Sequence, residues 1–531
     1  MRFLPLLMSW LSVSNGKDSF EYQQVANILA SVPEIENNFL PIQEGKFRFW
    51  QTTDCLSILY QSSPFSQYYG CYFQNPNAPY GLMLFPPHEN EIIDKYYGFP
   101  IQDGNLTGTW HLKENEVIVL LGMTPPECRY FSFSNYLYSR HLTPDWVPES
   151  RHRLIDLNCP TGNVSDRCEF FASLDDSLNL DRGLNLDLTN KFNSSFALIL
   201  SNSIQGTNQA IKGLVQAGVP ERLISNYSFP GQQLNLGIDT QDDTFITIMR
   251  TAYYQNASEA NEYFDTIPFR IFRMELIETK VDLYNRRTLV DKKTNFTDGS
   301  LANISLSEMR KTLLKVIDQV ITNITQGESS QWYLQVTQTI SEVPDNGFEC
   351  IQAGQVCLAD CRDTIYPFSI HLYRTSDICQ HLNHTCYGVM NGLLSEQNDD
   401  VILVVGVNHA LTNMSSYSSM SIYDATYLWG VQEVGDTFLA NTVWKYLNIS
   451  QFDHTHKQAL PYLYVYEIRR NCSHNENCLQ VPSKPSSDNK AVIGLQDPIV
   501  IAERMYNNPE THVGPNLDDV ILPIVIHLKK K

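Results

Sequence analysis

Short apolar runs separated by turn residues make up the first part of the chain. Up to about residue 158 the pattern predicts strands, with almost no helical periodicity. The predicted strands carry the sequences FRFWQTTDCLSILYQ (47–61), GLMLFPP (81–87), GTWHL (108–112), EVIVLLG (116–122) and RYFSFSNYLY (129–138). A charged stretch with two prolines at 141–153 then indicates a connection. We therefore predict a β-rich domain over residues 17–158.

From residue 196 onward, predicted strands alternate with predicted helices. Residues 196–201 are typical of a buried strand, and 207–217 of a helix that Gly218 and Pro220 end. The elements predicted next are strands at 223–229 and 234–238, a helix over 245–252 and a strand at 269–277. This order matches a ferredoxin-like split βαβ arrangement, although other α/β sheets remain compatible. The predicted fold class is therefore α+β.

A long amphipathic helix is predicted over residues 305–325. Ser305 and Glu308 have the spacing of a capping box, and apolar residues from Leu306 to Ile324 recur on one face. We place this helix in a ferredoxin-like domain spanning 159–344. A Cys-rich excursion at 345–395 follows it.

A C-terminal α/β domain is predicted over residues 396–531. Its predicted elements are strands at 401–407, 416–423, 460–469 and 520–528, with helices at 437–447 and 499–506.

One internal similarity suggests that this domain is duplicated from the first. EVIVLLG followed by PPECRYFSFSNY resembles DVILVVG followed by ALTNMSSYSSMSIY. The alignment matches Gly122 with Gly406, Tyr130 with Tyr417 and Tyr136 with Tyr423. It requires a three-residue insertion in the second copy. Chance recurrence of apolar strands is the alternative; true duplication predicts two related sheets in one pseudo-symmetric body.

Composition describes a folded globular protein. The 531 residues are 43% hydrophobic and 11% aromatic, which excludes disorder as a description of the whole chain. A formal net charge of −20 with scattered basic residues makes nucleic acid an unsuitable partner.

Residues 1–16 have the pattern of a signal peptide. A basic Arg2 precedes an apolar run, and small residues near Ser14 and Gly16 suit cleavage; a buried helix or strand is the alternative. No apolar run approaches the ~18 residues of a membrane span, so we expect no transmembrane anchor. These features predict secretion or a place in the lumen of the secretory pathway.

N-glycosylation sequons are about twice as frequent as chance would give. They place candidate acceptors at Asn105, Asn163, Asn193, Asn226, Asn256, Asn295, Asn303, Asn323, Asn383, Asn413, Asn448 and Asn471. Together with the signal-like start, they favour an extracellular glycoprotein.

Twelve cysteines, an even number, predict disulfides in an oxidising compartment. They are Cys55, Cys71, Cys128, Cys159, Cys168, Cys350, Cys357, Cys361, Cys379, Cys386, Cys472 and Cys478. Close neighbours such as Cys159 with Cys168, Cys379 with Cys386, and Cys472 with Cys478 are plausible bridges. Sequence alone leaves the connectivity open.

Complete catalytic motifs, such as nucleophile elbows, phosphate loops and HExxH helices, do not occur in the sequence. The best catalytic candidates are Asn408 and His409, which follow the apolar run 401–407, because strand ends often carry side chains into a cleft. The alternative is that both satisfy backbone groups of a turn. A buried His409 bound only to such groups would count against catalysis.

Three further groups have residue types that bind metals. These are His454 and His456 with Asp453, the Cys379–His381–His384–Cys386 set, and the acidic stretch 174–188. An exposed loop, disulfides and a solvated segment, respectively, are the favoured interpretations, so no metal and no cofactor are predicted.

An aromatic run suggests a place where a planar ligand could bind. Tyr130 and Tyr136 alternate with other rings beside Arg129, and Tyr417 occupies the matching position in the second copy. Alternating aromatics are also ordinary strand residues. The leading hypothesis is a secreted binding or structural protein with a protein or carbohydrate ligand; the alternative is a secreted hydrolase or metal-dependent enzyme with its site near His409.

Overall fold

The fold consists of two halves, residues 20–293 and 300–531, each built around two β-sheets. The structure, a computed structural model, describes residues 20–50, 74–76, 78–91, 102–141, 167–186, 190–293, 300–301, 303–339, 341, 346–353, 357, 359–369, 393–397, 399–425, 429–472, 476–485 and 491–531.

The first half contains four α-helices within the described residues: α1 (Tyr22–Ile28), α2 (Pro33–Asn38), α3 (Ile204–Gln216) and α4 (Ala257–Thr266). Its strands are β1 (Gln43–Glu44), β2 (Lys46–Trp50), β3 (Tyr80–Leu84), β4 (Gln102–Asp103), β5 (Leu106–Thr107), β6 (Glu116–Met123), β7 (Cys128–His141), β8 (Arg167–Ser173), β9 (Leu178–Asn179), β10 (Ser195–Ser201), β11 (Ile224–Ser228), β12 (Thr244–Tyr254) and β13 (Phe269–Glu275).

The second half begins with a short strand pair and a long helix. Its strands are β14 (Ser300–Leu301), β15 (Ile304–Ser305), β16 (Trp332–Gln338), β17 (Thr364–Ile365), β18 (Asp400–Val407), β19 (Tyr417–Asp424), β20 (Gly430–Gly435), β21 (Leu463–Arg469), β22 (Cys478–Gln480), β23 (Ile499–Tyr506) and β24 (Ile524–Lys530). Its described α-helices are α5 (Leu306–Ile324), α6 (Gly347–Gln352), α7 (Asp436–Leu439) and α8 (His454–Ala459). The mixed α+β class is thus confirmed.

Each half pairs an outer sheet with an inner sheet. Outer sheet 1 has the strand order β1-β13-β6-β10-β11, and inner sheet 1 has the order β2-β3-β12-β7-β8 with β9 beside β7. Outer sheet 2 has the order β16-β24-β18-β21-β22, and inner sheet 2 has the order β17-β23-β19-β20.

Alternating side chains place a separate apolar core on each face of the outer sheets. In the first half, Val117 and Val119 pack with α1, α2 and α3, whereas Ile118 and Leu120 face inner sheet 1. In the second half, α5 covers one face of outer sheet 2 and inner sheet 2 covers the other. The two inner sheets meet through a cluster that includes Tyr130. The layer order is therefore helices, outer sheet 1, inner sheet 1, inner sheet 2, outer sheet 2, helices.

The two halves have the same sheet topology. Once β2 and β9 of inner sheet 1 are left out, replacing β1, β3, β6, β7, β8, β10, β11, β12 and β13 in turn by β16 to β24 converts the sheet orders of the first half into those of the second. Strand directions agree as well: β10–β11 and β21–β22 are parallel pairs, and the other corresponding pairs are antiparallel. This agreement is what the internal sequence similarity predicts.

The strand registers agree with the matches drawn from sequence. Tyr130 faces Ala252 on β12, and Tyr417 faces Tyr506 on β23. Six residues earlier on these partner strands, Tyr136 faces Ile246 and Tyr423 faces Val500. Gly122 and Gly406 likewise occupy corresponding places on the central strands of the outer sheets, opposite Phe196 and Tyr464.

Several locally predicted features are confirmed. The Ser305 hydroxyl accepts a hydrogen bond from the Glu308 backbone N–H, so the capping box starts α5 as expected. Gly218 has φ +99°, which places the residue after α3 in the left-handed region that glycine tolerates.

Two predicted helices are wrong. Residues 245–252 lie in β12 and residues 499–506 form β23, each at the centre of an inner sheet. Because both faces of these strands are buried, their apolar residues show no alternation that would distinguish them from a helix. The predicted strand at 234–238 is likewise outside the named strands.

The ferredoxin-like arrangement is consequently not formed. β10, α3 and β11 do make a parallel βαβ unit, but β12 then joins inner sheet 1 while β13 returns to outer sheet 1. Both sheets of the first half combine strands from the predicted domains 17–158 and 159–344, so these segments fold together.

Disulfides join Cys350 to Cys357 and Cys472 to Cys478, the second as expected from its short loop. Cys168 is also disulfide-bonded. The remaining predicted half-cystines Cys55, Cys71, Cys159, Cys379 and Cys386 lie outside the described residues.

The prediction that all twelve cysteines form disulfides is wrong for Cys128 and Cys361. Both are buried free thiols. The Cys128 sulfur lies 3.3 Å from the Tyr130 carbonyl oxygen, and the Cys361 sulfur lies 3.5 Å from the Ser177 hydroxyl. The contacts of both thiols are thus with oxygen atoms.

None of the helices in the described part of the chain combines the length and apolar character needed to cross a bilayer.

Candidate binding site between the halves

His409 and Asn408 hold the backbone of neighbouring segments together. The His409 Nε2 atom accepts a hydrogen bond from the Ile521 N–H at 3.2 Å, and Nδ1 lies 3.4 Å from the Thr412 hydroxyl. Burial lowers the pKa of His409 to about 4. The Asn408 side chain donates to the Asp436 carbonyl at 2.8 Å. These contacts are the turn-stabilising alternative to catalysis.

The metal-type candidates also have structural partners. Asp453 caps α8 through the His456 N–H, and the His456 ring lies 2.8 Å from the Thr312 hydroxyl. In the acidic stretch, Asp176 pairs with Arg362 at 2.6 Å. Within the described ranges, no three His, Cys, Asp or Glu side chains are arranged to hold a metal ion. The set from Cys379 to Cys386 lies outside those ranges.

The most unusual polar surroundings lie between the two inner sheets, in what we call the central layer. Arg250 on β12 is only 5% exposed there. Its guanidinium donates to the Ser134 hydroxyl at 2.9 Å and to the Ala359 carbonyl at 3.3 Å. It also lies over the rings of Tyr136 and Tyr80, at 5.3 and 5.8 Å from their centroids.

The second half places a matching group in the same layer. Arg504 on β23 is 1% exposed and donates to the Ser421 hydroxyl at 3.2 Å. Its guanidinium lies over the rings of Tyr423 and Tyr366, at 5.4 and 5.8 Å. By strand register, Arg504, Ser421 and Tyr423 correspond to Arg250, Ser134 and Tyr136.

The tyrosines at the edge of the sheets follow the same correspondence. Tyr80 faces Arg250 across β3 and β12. Tyr366 follows β17, whose pairing of Ile365 with Met505 continues toward Arg504. We call Arg250, Tyr80, Tyr136, Arg504, Tyr366 and Tyr423 the arginine–tyrosine cluster.

The two sets of the arginine–tyrosine cluster interact with each other. Tyr366 is near enough to Arg250, and Tyr80 near enough to Arg504, to raise the pKa of the arginine in the other set. Both tyrosines are half-buried, whereas both arginines are buried. The cluster therefore reaches the surface of the layer at Tyr80 and Tyr366.

A stack of four tyrosine rings continues the layer beside the cluster. Tyr506 lies between Tyr130, at 4.5 Å, and Tyr417, at 5.0 Å with the rings nearly parallel. Tyr253 adds to the other side of Tyr417 at 4.8 Å. Tyr130 and Tyr253 belong to the first half, so two rings of the second half lie between two rings of the first.

Several buried carboxyl groups of the second half accept hydrogen bonds from the first half, and burial raises the pKa of two of them, Asp363 and Glu433. Asp363 accepts from the Tyr130 hydroxyl at 2.9 Å and from Asn179 at 3.0 Å. Burial raises the pKa of Asp363 to about 6, although these two hydrogen bonds act to lower it. Glu433 accepts from Asn75 at 2.9 Å, and burial raises its pKa too.

Arg129 closes one edge of the layer. Its guanidinium makes a bidentate pair with Asp436 at 2.7 and 2.9 Å, donates to the Ser416 carbonyl, and lies 6.0 Å from the centroid of the Tyr417 ring. The predicted binding residues Arg129, Tyr130, Tyr136 and Tyr417 all lie in the central layer. Arg129, Tyr130 and Tyr417 each contact a side chain of the opposite half.

Sequence reasoning missed the arginines at the centre of this layer. Arg250 and Arg504 lie in the two segments that were predicted to be helices, so their shared face with the serines and tyrosines could not be recognised. The signal that could have found them is the internal repeat. Extending the match of Tyr130 with Tyr417 to the partner strands aligns Arg250 with Arg504.

The sequon asparagines within the described residues are exposed except Asn226, which is half-buried on the edge strand β11. Asn163, Asn295 and Asn383 lie outside these residues.

Comparisons with known proteins give little guidance. No protein-family model and no curated protein matches the sequence. Among solved structures, the chain is similar to a Vibrio parahaemolyticus protein from a structural genomics consortium, with a TM-score of 0.34, 8% identity, and coverage of 96% of this chain and 100% of that one. An uncharacterized Burkholderia cenocepacia protein gives a TM-score of 0.35, 8% identity and coverage of 96% and 87%. Likenesses at this level carry no argument.

Proposed function

We propose that the protein is an exported binding protein that takes its ligand in the central layer, at the side where Tyr80 and Tyr366 are half-buried. The observation that carries this proposal is the pair of equivalent buried arginines, Arg250 and Arg504, in an aromatic setting. Guanidinium groups beside tyrosine rings are a common means of ligand recognition, because they combine directed hydrogen bonds with flat apolar surface.

The surroundings of His409 favour binding over hydrolysis. A general base needs a ring nitrogen that can reach a substrate proton. His409 is buried, and its neighbours Ile521 and Thr412 lie beside its two ring nitrogens. We therefore propose a binding protein and not a hydrolase that uses His409.

Export of the chain is supported by its disulfides and its exposed sequons. Cys350–Cys357 and Cys472–Cys478 are bonds that an oxidising compartment maintains. Asn105, Asn256 and Asn471, among others, are exposed as a glycan acceptor must be. A signal peptide over residues 1–16 would direct the chain there.

Binding in the central layer can be tested by a thermal-shift screen of soluble sugars and metabolites on the full secreted chain. A ligand of the layer should raise the melting temperature of the wild type and lose most of that shift with Tyr366→Ala. Tyr333→Ala, an exposed ring on β16, is the matched control and should keep the shift. Hits that stabilise all three proteins equally, or that are turned over during incubation, would contradict the proposal.

Export has its own test in a eukaryotic secretion host. The protein should appear in the medium with its first residue near position 15 to 17 and should lose mass when N-glycans are removed enzymatically. An unglycosylated intracellular protein that still begins at Met1 would overturn this part of the proposal.

A further inference from the structure

Adjacent basic residues occur at five places in the sequence, and the structure separates them into two groups. Three of the five lie in a helix or strand or directly at its end: 310–311 in α5, 469–470 at the end of β21, and 529–531 at the end of β24. The other two, 286–287 and 292–293, lie in residues 278–293, the connecting segment, which leads from the first half to the second and contains no named helix or strand. Only these two pairs therefore lie in the kind of chain that endoproteases prefer to cut.

The backbone of the connecting segment is held at two points with a gap between them. The Tyr284 N–H donates to the carbonyl of the residue that follows β10, at 2.9 Å, and the Val290 N–H donates to the Asp176 carboxylate at 3.0 Å. In the part of the chain that the structure describes, no backbone hydrogen bond holds Arg287 or Thr288, and both residues are exposed. A protease that binds its substrate as an extended strand can therefore reach this peptide bond without unfolding a helix or a sheet.

The side chains of the first basic pair have neutral partners. The Arg287 guanidinium donates to the Ser228 hydroxyl at 2.8 Å. The Arg286 guanidinium donates to the Asn346 side-chain oxygen at 2.8 Å and lies 4.7 Å from the centroid of the Phe348 ring. Hydrogen bonds between a guanidinium and a carboxylate are stronger than those to neutral acceptors, so acidic pockets of a protease can replace these contacts.

The second basic pair of the connecting segment is less accessible. Lys292 is only 7% exposed, whereas Arg287 is exposed. Cleavage after the second pair would require Lys292 to leave the protein interior, so the first pair is the better substrate.

We propose that the Arg287–Thr288 peptide bond is a processing site for a serine endoprotease of the secretory pathway, whose neighbouring acidic pockets take Arg286 and Arg287. Hydrolysis adds one water molecule across the bond: the hydroxyl goes to the Arg287 carbonyl carbon, and the hydrogen goes to the Thr288 nitrogen, which becomes a new α-amino group. The two chains that result stay together through the contacts of the central layer. This inference rests on the proposed export, because the chain meets such a protease on that route.

Incubation of the purified, uncut full chain with an endoprotease specific for paired basic residues tests the site without relying on export. N-terminal sequencing should find one new start, Thr288-Leu289-Val290, and the two products should elute together in size-exclusion chromatography under native conditions. Coexpression of the same protease in a eukaryotic secretion host should give the same start in the medium.

Two variants and a control locate the cut. Arg287→Gln should slow cleavage about thirtyfold or more, because an acidic pocket of the protease is left without its cation. Thr288→Pro should block cleavage while keeping both arginines in place. Arg310→Gln, in the exposed basic pair on α5, is the matched control and should be cut like the wild type.

A wild-type chain that stays intact in the purified reaction, a new start at another residue, or equal cleavage of the wild type and Arg287→Gln would overturn the inference. Cleavage of the purified chain before Thr288, combined with an unglycosylated intracellular protein in the host, would support the site and remove the proposed export. An exported, glycosylated chain that resists the protease would do the reverse.

Discussion

Glu503 is a carboxyl group buried inside the second half, where the equivalent position of the first half has Met249. Burial raises its pKa to about 8, above the value near 4.5 of an unfolded chain, despite a hydrogen bond from Tyr464. Its contribution to stability is therefore complete below pH 4.5 and is lost as the pH rises through 8.

Glu503→Gln should abolish this decline, which amounts to at most about 1.4 kcal/mol per pH unit from one group. Urea unfolding between pH 5 and 9 measures the effect, with the exposed Glu328→Gln as control. A variant whose unfolding free energy falls with pH as steeply as that of the wild type would show that Glu503 does not cause the decline.

The contribution of His409 to stability should depend on pH in the opposite direction. Its pKa of about 4 lies below the unfolded value of 6.5, so its contribution is present above pH 6.5 and is lost as the pH falls through 4. His409→Gln should lower stability at pH 7, because the Ile521 contact is disturbed, yet reduce the loss between pH 6.5 and 4. Circular dichroism followed during acid titration measures this change, and the exposed His454→Gln is the control that should behave like the wild type. An acid transition of His409→Gln identical to that of the wild type would contradict the prediction.

At the scale of elements, α5 depends on its N-terminal cap. Ser305→Ala removes the hydroxyl that accepts from the Glu308 N–H and should cost about 1 kcal/mol of unfolding free energy. Ser307→Ala, two residues further on an exposed position of the same helix, should change stability by much less. Equal effects of the two substitutions in chemical denaturation would argue that the cap contributes nothing.

Elements with a local signal could be predicted from the sequence, and elements determined by burial on both faces could not. The capping box identified α5, and Gly218 identified the end of α3. The strands β12 and β23 were mistaken for helices because sheets cover both of their faces.

These two wrong assignments also concealed the candidate site. On a strand, Arg250 shares a face with Ala252 and lies beside Ser132 of β7, which places it with the residues of the aromatic run. On a helix, Arg250 would not share a face with these residues. The residues Arg129, Tyr130 and Tyr136 were found because their own strand was recognised, whereas the arginines depended on pairing between distant segments.

At the scale of the whole molecule, the two halves are joined by polar and aromatic contacts of the central layer. Two ion pairs with buried carboxylates cross between the halves in the described residues: Asp176 with Arg362, in which both partners are buried, and the bidentate pair of Arg129 and Asp436, in which Arg129 is 33% exposed. Such geometry should couple the halves more strongly than an exposed pair, which contributes about 0.2 to 1 kcal/mol.

A double-mutant cycle with Arg129→Ala and Asp436→Asn measures that coupling. We expect an interaction energy between about 1 and 3 kcal/mol in denaturant unfolding. A cycle with Lys191→Ala and Asp181→Asn, an exposed pair within the first half, is the control and should give less. Additive effects at the Arg129 pair would mean that this contact does not hold the halves together.

The repeated topology gives the central layer two equivalent arginines, one from each half, so we expect a ligand of this layer to contact both halves. Hydrogen–deuterium exchange with and without a ligand found in the thermal-shift screen measures most directly whether the ligand contacts both halves. The account predicts slower exchange in β12 and in β23 together, with little change in the outer sheets. Protection confined to one half, or located away from both strands, would contradict it.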